Sequence, residues 1–164
     1  MNVGAPVAIQ RRVSAVGIPA PATLRHWARA AMEDTPGEMG IRIVAEDEGR
    51  ELNARYRGRD YATNVLSFGY GADSSGIPGA PSLLGDLVIC KAVVQREAVA
   101  QHVPPRAHWA HMVVHGVLHL RGMDHENDAD AEHMEARERE ILAQLGFPDP
   151  YATERPAGTG DSCG

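Results

Sequence analysis

The segment 115–125, HGVLHLRGMDH, dictates more local structure than any other part of the chain. It continues the apolar stretch AHWAHMVV, so residues 107–120 read as one very apolar helix. On such a helix His115 and His119 lie one turn apart and point to the same side. Gly122 suits the left-handed residue that ends a helix. Beyond it the chain can fold back and carry His125 toward the other two. The spacing therefore demands a helix, a stop and a reversal in quick succession.

Two imidazoles so placed can share one metal ion, which takes nitrogen donors at roughly 2.0–2.1 Å. With His125 as third ligand, the fourth tetrahedral position stays open, the mark of a catalytic rather than a structural zinc. His111 lies one turn before His115, so 111/115/119 competes with 115/119/125 on spacing alone. The outer two of that straight set stand about 12 Å apart along the axis at about 1.5 Å per residue. They cannot easily converge on one ion, and the set with the turn is favoured. His111 is then either a group beside the ligands or the substrate, or a hydrogen-bonded core histidine. His26, His102, His108 and His133 read as ordinary surface or partly buried residues. Asp124 is a proton acceptor, a group holding a ligand imidazole in its tautomer, or a turn residue.

Zinc peptidases of the metzincin type use the same spacing, H-E-x-x-H-x-x-G-x-x-H, with a glutamate after the first histidine to activate water. Here that position is Gly116. A bound Zn²⁺ lowers the pKa of water from about 15.7 to about 7 without a carboxylate. A peptidase must also deliver a proton to a poor amine leaving group, which glycine cannot do. Phosphodiester cleavage depends more on stabilising charge on phosphoryl oxygens, work suited to a metal and an arginine. Arg57 offers a planar, permanently charged guanidinium for bidentate phosphate contact, or else a solvated charge at a helix end. Thr63, Asn64 and Ser67 either hydrogen-bond substrate or cap the start of a strand. Asp86, polar within LLGDLVIC, reads as a structural hydrogen-bonding residue.

At 164 residues and 43% hydrophobic the chain forms one globular domain over 1–147, with a disordered, Gly- and Pro-rich tail at 148–164. A net charge of −6 argues against coating nucleic acid by bulk electrostatics, leaving a local patch at Arg55, Arg57 and Arg59. Cys90 and Cys163 are too few for a disulfide framework, and Cys90 reads as a buried free thiol. No run approaches transmembrane length, so a cytoplasmic protein without membrane partners is expected.

Strands are expected at 7–16, IRIVAE, NVLSFGY and LLGDLVIC, the last two antiparallel neighbours across the loop 70–82. Helices are expected over TLRHWARAAMED capped by Thr23, and over EGRELNARYR capped by Asp47 and stopped at Gly58. Three more follow: KAVVQREAVAQHV ended by Pro104-Pro105, the histidine helix, and DADAEHMEAREREILAQLG closed by Gly146 and Pro148. The fold class is α+β: a small mixed sheet of about four strands flanked by helices, with the metal site at the end of a central helix.

Several ordered segments together carry a resemblance. HGVLHLRGMDH resembles the motif of the YbeY-type endoribonuclease family of rRNA maturation factors. ELNARYRGRDYATNVLSFGY is similar to its L-N-x-x-Y-R and T-N-V-L-S-F stretch. LLGDLVIC resembles its G-D-[IV] strand, and MEAREREIL followed by LG its final helix. The matches span about 41–146, departing at Tyr61-Ala62, where the family usually has a proline. The resemblance implies one zinc held by His115, His119 and His125, with Arg57 as the functional arginine. It also implies single-strand-specific RNA cleavage in small-subunit ribosomal RNA maturation and ribosome quality control. The small subunit, ribosomal proteins and assembly GTPases become the expected partners. Two other classes compete: a metal-dependent peptidase or esterase on the histidine frame, and a non-catalytic assembly factor with structural zinc.

Overall fold

The computed structural model describes residues 7–35, 37–69, 83–123, 127–151, 157–159 and 161–162. The expected His125, Asp124 and loop 70–82 lie outside these described residues.

Among the described residues four strands form one mixed sheet: β1 (Val7–Arg11), β2 (Glu38–Val44), β3 (Val65–Gly69) and β4 (Leu83–Cys90), in the order β1-β2-β4-β3. β1 and β4 run parallel to β2, and β3 runs antiparallel to β4, as expected of neighbours joined by one loop. Alternation sorts the faces. Met39, Ile41 and Ile43 of β2 and Leu87 and Ile89 of β4 point into the main core. Val44, Leu66, Val88 and Cys90 point to a smaller one on the opposite face. Cys90 is buried with a free thiol, and burial pushes its pKa up.

Among the described residues five helices cover the sheet: α1 (Pro21–Met32), α2 (Glu46–Arg57), α3 (Lys91–Gln101), α4 (Pro105–Leu120) and α5 (Asp128–Gln144). α4 is the central one. It packs on β3 and β4 and also touches α1, α3 and α5. Helices apolar on nearly every side are buried on nearly every side. Trp109, Ala110, Val113, Val114, Val117 and Leu118 are all fully buried.

Several boundaries differ from expectation. β1 ends at Arg11 rather than residue 16. α1 opens on Pro21 with Ala20 as N-cap, because proline at the first turn needs no cap for its missing N–H, so Thr23 lies inside the helix. α2 is capped by Ala45, and Asp47 sits in its first turn, where a carboxylate complements the helix dipole. Its left-handed Gly58 stop is as expected. α3 ends at His102 in the left-handed region (φ 59°), while Pro105 opens α4 instead of closing α3. Past α5, Phe147 packs edge-on against Trp27 at 5.5 Å, and Ala157–Thr159 pairs with Asp161–Ser162.

Candidate active site

α4 ends as its sequence demands. Gly122 adopts φ 93°, its N–H bonds the His119 carbonyl (2.9 Å), and the Met123 N–H reaches back to Leu118 (3.0 Å). This paired capping pattern turns the chain sharply after His119.

Along α4, His108, His111, His115 and His119 form a stripe. His115 and His119 stand with ring centroids 4.7 Å apart and planes at 78°. Both line an open cleft of about 440 Å³, together with Asn53, Arg57, Arg59, Thr63, Asn64 and Ser67. The cleft thus brings the two helical ligand candidates to the same place as the candidate arginine. Arg57 closes α2 and donates from Nη2 to the Ser67 carbonyl (3.2 Å), which aims an exposed side chain across the cleft mouth. Arg59 donates to the Tyr61 hydroxyl (3.3 Å).

The other cleft candidates have structural partners. Asn64 accepts the Val65 N–H (2.6 Å) and donates to both Glu97 oxygens (3.0 and 3.2 Å). It fixes the start of β3 as well as lining the cleft. Ser67 donates its hydroxyl to the Gly116 carbonyl of α4 (3.2 Å), tying β3 to the histidine helix. Asp86 lies on the far side of the sheet, over Gly40, where a Cβ would stand 2.6 Å from its Oδ1. Asn53, 2% exposed, donates to the Tyr61 carbonyl (2.6 Å) and so holds the segment between Arg57 and Asn64 in place.

Gly116 answers the missing-glutamate question geometrically. It is buried on the face of α4 that packs on the sheet. A Cβ there would meet Leu87 Cδ2 at 2.7 Å, Leu87 Cδ1 at 3.0 Å and Val65 Cγ2 at 3.2 Å. A side chain at this position would have to displace Leu87.

His108 departs from expectation. It is buried, with 4% exposure, and its Nε2 lies 2.8 Å from Glu97 Oε1. A carboxylate only accepts, so the imidazole donates.

The residue that sequence reasoning passed over is Glu138 of α5, which is 0% exposed. His115 donates Nδ1–H to its Oε2 (2.5 Å), and His111 donates Nε2–H to its Oε1 (3.0 Å). The Tyr151 hydroxyl donates to the same Oε1. Burial by itself would raise the pKa of this carboxyl. Hydrogen bonds and charge from His111 and His115 outweigh it and hold the value down at about 2. A signal was present in the sequence: Met134, Glu138, Ile141 and Leu142 share one helical face, and the other three are buried.

His111, His115 and Glu138 have ligand atoms within 4.8 Å of one another, so the chemistry of a metal site is present. The His115 ring also suits an ion on the cleft side: with Nδ1 committed to Glu138, Nε2 is the ring atom left for it.

The model of the family described as "Endoribonuclease YbeY" matches residues 13–146. The chain is 55% identical to "Endoribonuclease YbeY" of Pseudomonas putida over 150 residues, covering 89% of this chain and 92% of that one. It is 53% identical to the protein of the same name in Stenotrophomonas maltophilia over 154 residues, covering 91% and 94%. The solution structure of TM1509 from Thermotoga maritima shares the fold, with a TM-score of 0.53 at 21% identity over 93% of this chain and 97% of that one. The mixed sheet, the histidine helix with its capped turn and these matches lead to one conclusion: the chain belongs to the YbeY endoribonuclease family.

Proposed function

We propose that this chain is a metal-dependent endoribonuclease, with His115, His119 and His125 as ligands and Arg57 as the phosphate-binding residue. The observation that carries the reading is the shared cleft: two histidines one turn apart and an anchored arginine face the same space. A cleft of about 440 Å³ is of the size that holds a small ligand or a short piece of a larger one. A zinc ion, when bound, stabilises charge on a phosphoryl oxygen and lowers the pKa of water.

The protein's own groups supply the rest. Arg57 offsets the charge that builds on the phosphoryl group during in-line attack. Arg59 adds a second cation at the rim, giving a local positive patch on a chain of net charge −6. Asn64 and Ser67 hold the β3 wall against α3 and α4, keeping the cleft open. The buried Gly116 speaks against a peptidase, since a carboxylate at that position would have to displace Leu87 and crowd Val65.

In this reading the substrate is single-stranded ribosomal RNA of the small subunit, and the work is maturation and quality control in the cytoplasm. Family resemblance supports assembly factors and the small subunit as partners. Among the described residues no helix is long and apolar enough to cross a membrane.

The test is cleavage of a labelled, partly single-stranded rRNA fragment by pure protein beside His119→Ala and Arg57→Ala. Loss in both with the fold intact supports the assignment. Equal cleavage in all three would refute it and point to a contaminant. A strand with 2′-deoxy at the cut site separates the nucleophiles: continued cleavage excludes attack by the 2′-hydroxyl.

A further inference from the structure

A buried anion between two histidines admits two uses: it ligates an ion with them, or it orients them by hydrogen bonding. Distance separates the two. Ligand atoms sharing a tetrahedral ion at about 2.1 Å stand roughly 3.4 Å apart. Glu138 Oε2 and His115 Nδ1 are 2.5 Å apart, and Glu138 Oε1 and His111 Nε2 are 3.0 Å apart. Both are well under that separation and leave room only for a proton between the atoms, the 3.0 Å contact lying in the usual N–H···O range and the 2.5 Å contact below it. Glu138 also receives the Tyr151 hydroxyl, so three donors converge on one carboxylate that has no solvent exposure. Such a buried charge is retained only where its lone pairs are met.

We propose that Glu138 is the positioning residue of the metal site. Its carboxylate holds His115 in the Nδ1–H tautomer, leaving on Nε2 the lone pair that a metal takes, while His111 and Tyr151 hold the carboxylate. His111 is thereby a support and not a ligand, because its Nε2 proton is committed to Glu138. Tyr151 gives the segment after α5 a role at the site. Its ring meets His111 edge-on at 5.4 Å, and Arg139 lies over it at 5.9 Å. The proposal rests on His115, His119 and His125 being the ligands.

Zinc binding by the full chain, stripped of metal and titrated with Zn²⁺ against a chromophoric chelator, tests it without reference to activity. The variants are Glu138→Gln, Tyr151→Phe and His119→Ala, each also unfolded in the stripped form to separate affinity from stability. Loss of a partner that orients a ligand histidine weakens metal binding by about 10–100-fold, the change expected for Glu138→Gln. Tyr151→Phe loses a smaller factor, and His119→Ala loses high-affinity binding. Nitrogen NMR of the stripped wild type shows His115 protonated at Nδ1, and Glu138→Gln redistributes that proton.

Wild-type zinc affinity in a folded Glu138→Gln, with His119→Ala inactive in binding, overturns the role of Glu138 and leaves the ligand reading standing. Zinc retained in His119→Ala but lost in Glu138→Gln overturns both, since the ion would then sit among His111, His115 and Glu138. If Glu138→Gln does not fold, wild-type affinity in Tyr151→Phe together with a His115 proton on Nε2 overturns the proposal.

Discussion

Replacing Gly116 by alanine adds one methyl group at a position with two opposed effects. Alanine is favoured over glycine in a helix interior by about 0.8–1 kcal/mol. Against that, the new Cβ would stand 2.7 and 3.0 Å from the two Leu87 methyls and 3.2 Å from a Val65 methyl. Leu87 is fully buried, so its methyls can give way only by pushing into the packed core. Overpacking of this kind costs about 1–3 kcal/mol. The net expectation is a loss of about 1 kcal/mol, read as a Tm lower by roughly 2–4 °C for a chain of this size. Gly116→Glu adds a longer side chain and an ionised carboxylate to the same contact, and buried charge without a partner is far more costly. That variant should be largely unfolded or insoluble. The assay is thermal and urea unfolding of metal-free protein, which keeps ligand linkage out of the comparison. If Gly116→Ala is more stable by about 1 kcal/mol and Gly116→Glu folds normally, the helix face is open. The geometric account of the missing base would then be wrong.

Arg57→Ala should lower kcat/KM on RNA by about 10²–10³ with Tm unchanged, because the side chain is exposed and, in the proposed function, meets charge that develops in the reaction. Arg57→Lys should recover only part, since an ammonium lacks the planar fork. Chelation should abolish cleavage, and restored Zn²⁺ at 100 times its Kd should stabilise the wild type by about 2.7 kcal/mol in unfolding experiments while leaving His119→Ala unmoved. Glu97 supplies a pH test. Burial opposes its ionisation, but hydrogen bonds from His108 and Asn64 win and hold its pKa below the usual carboxylate range. A depressed folded pKa means the stabilisation is fully present above the unfolded value and is lost as pH falls through the folded one. Wild-type stability should therefore decline below about pH 4.5, starting from the unfolded glutamate value. Glu97→Gln should be less stable at pH 7 and show a flatter acid limb in urea unfolding.

What the sequence revealed tracks how local the determining physics is. The end of the histidine helix was readable because Gly122 and the spacing of His115 and His119 act within two turns, and the paired capping bonds at Gly122 and Met123 match. The pairing of β3 with β4 was readable because one loop joins them. Helix starts were misread where proline, not a polar side chain, opens the element, as at Pro21 and Pro105. The burial of His108 and the role of Glu138 depend on contacts between helices, His108 with α3 and Glu138 with α4, rather than on spacing within one helix. No periodicity within α4 specifies which neighbour brings the carboxylate. Only the placement of a charge on the apolar face of α5 hinted at it.

One buried and one half-buried carboxylate explain how a site on one helix stays aligned with a wall on one strand. Glu97 of α3 bonds His108 at one end of the stripe and, through Asn64, the start of β3. Glu138 of α5 bonds His111 and His115 further along the same stripe. Ser67 closes the arrangement by bonding the Gly116 carbonyl from β3. α4 is therefore gripped from α3, α5 and β3, and of the groups involved Asn64, Ser67 and His115 also line the cleft. Catalytic geometry must be kept to within about 0.5 Å, and sites built on helices and strands with locked partners achieve this where loops do not. A sliding or rotation of α4 would break contacts to α3, α5 and β3 together, and each broken buried bond costs about 1–3 kcal/mol. On this argument Gly116 and Glu138 belong to one design. The glycine lets the helix sit close enough to β3 and β4 for Ser67 to reach it, and the carboxylate fixes the rotation that turns His115 toward Arg57.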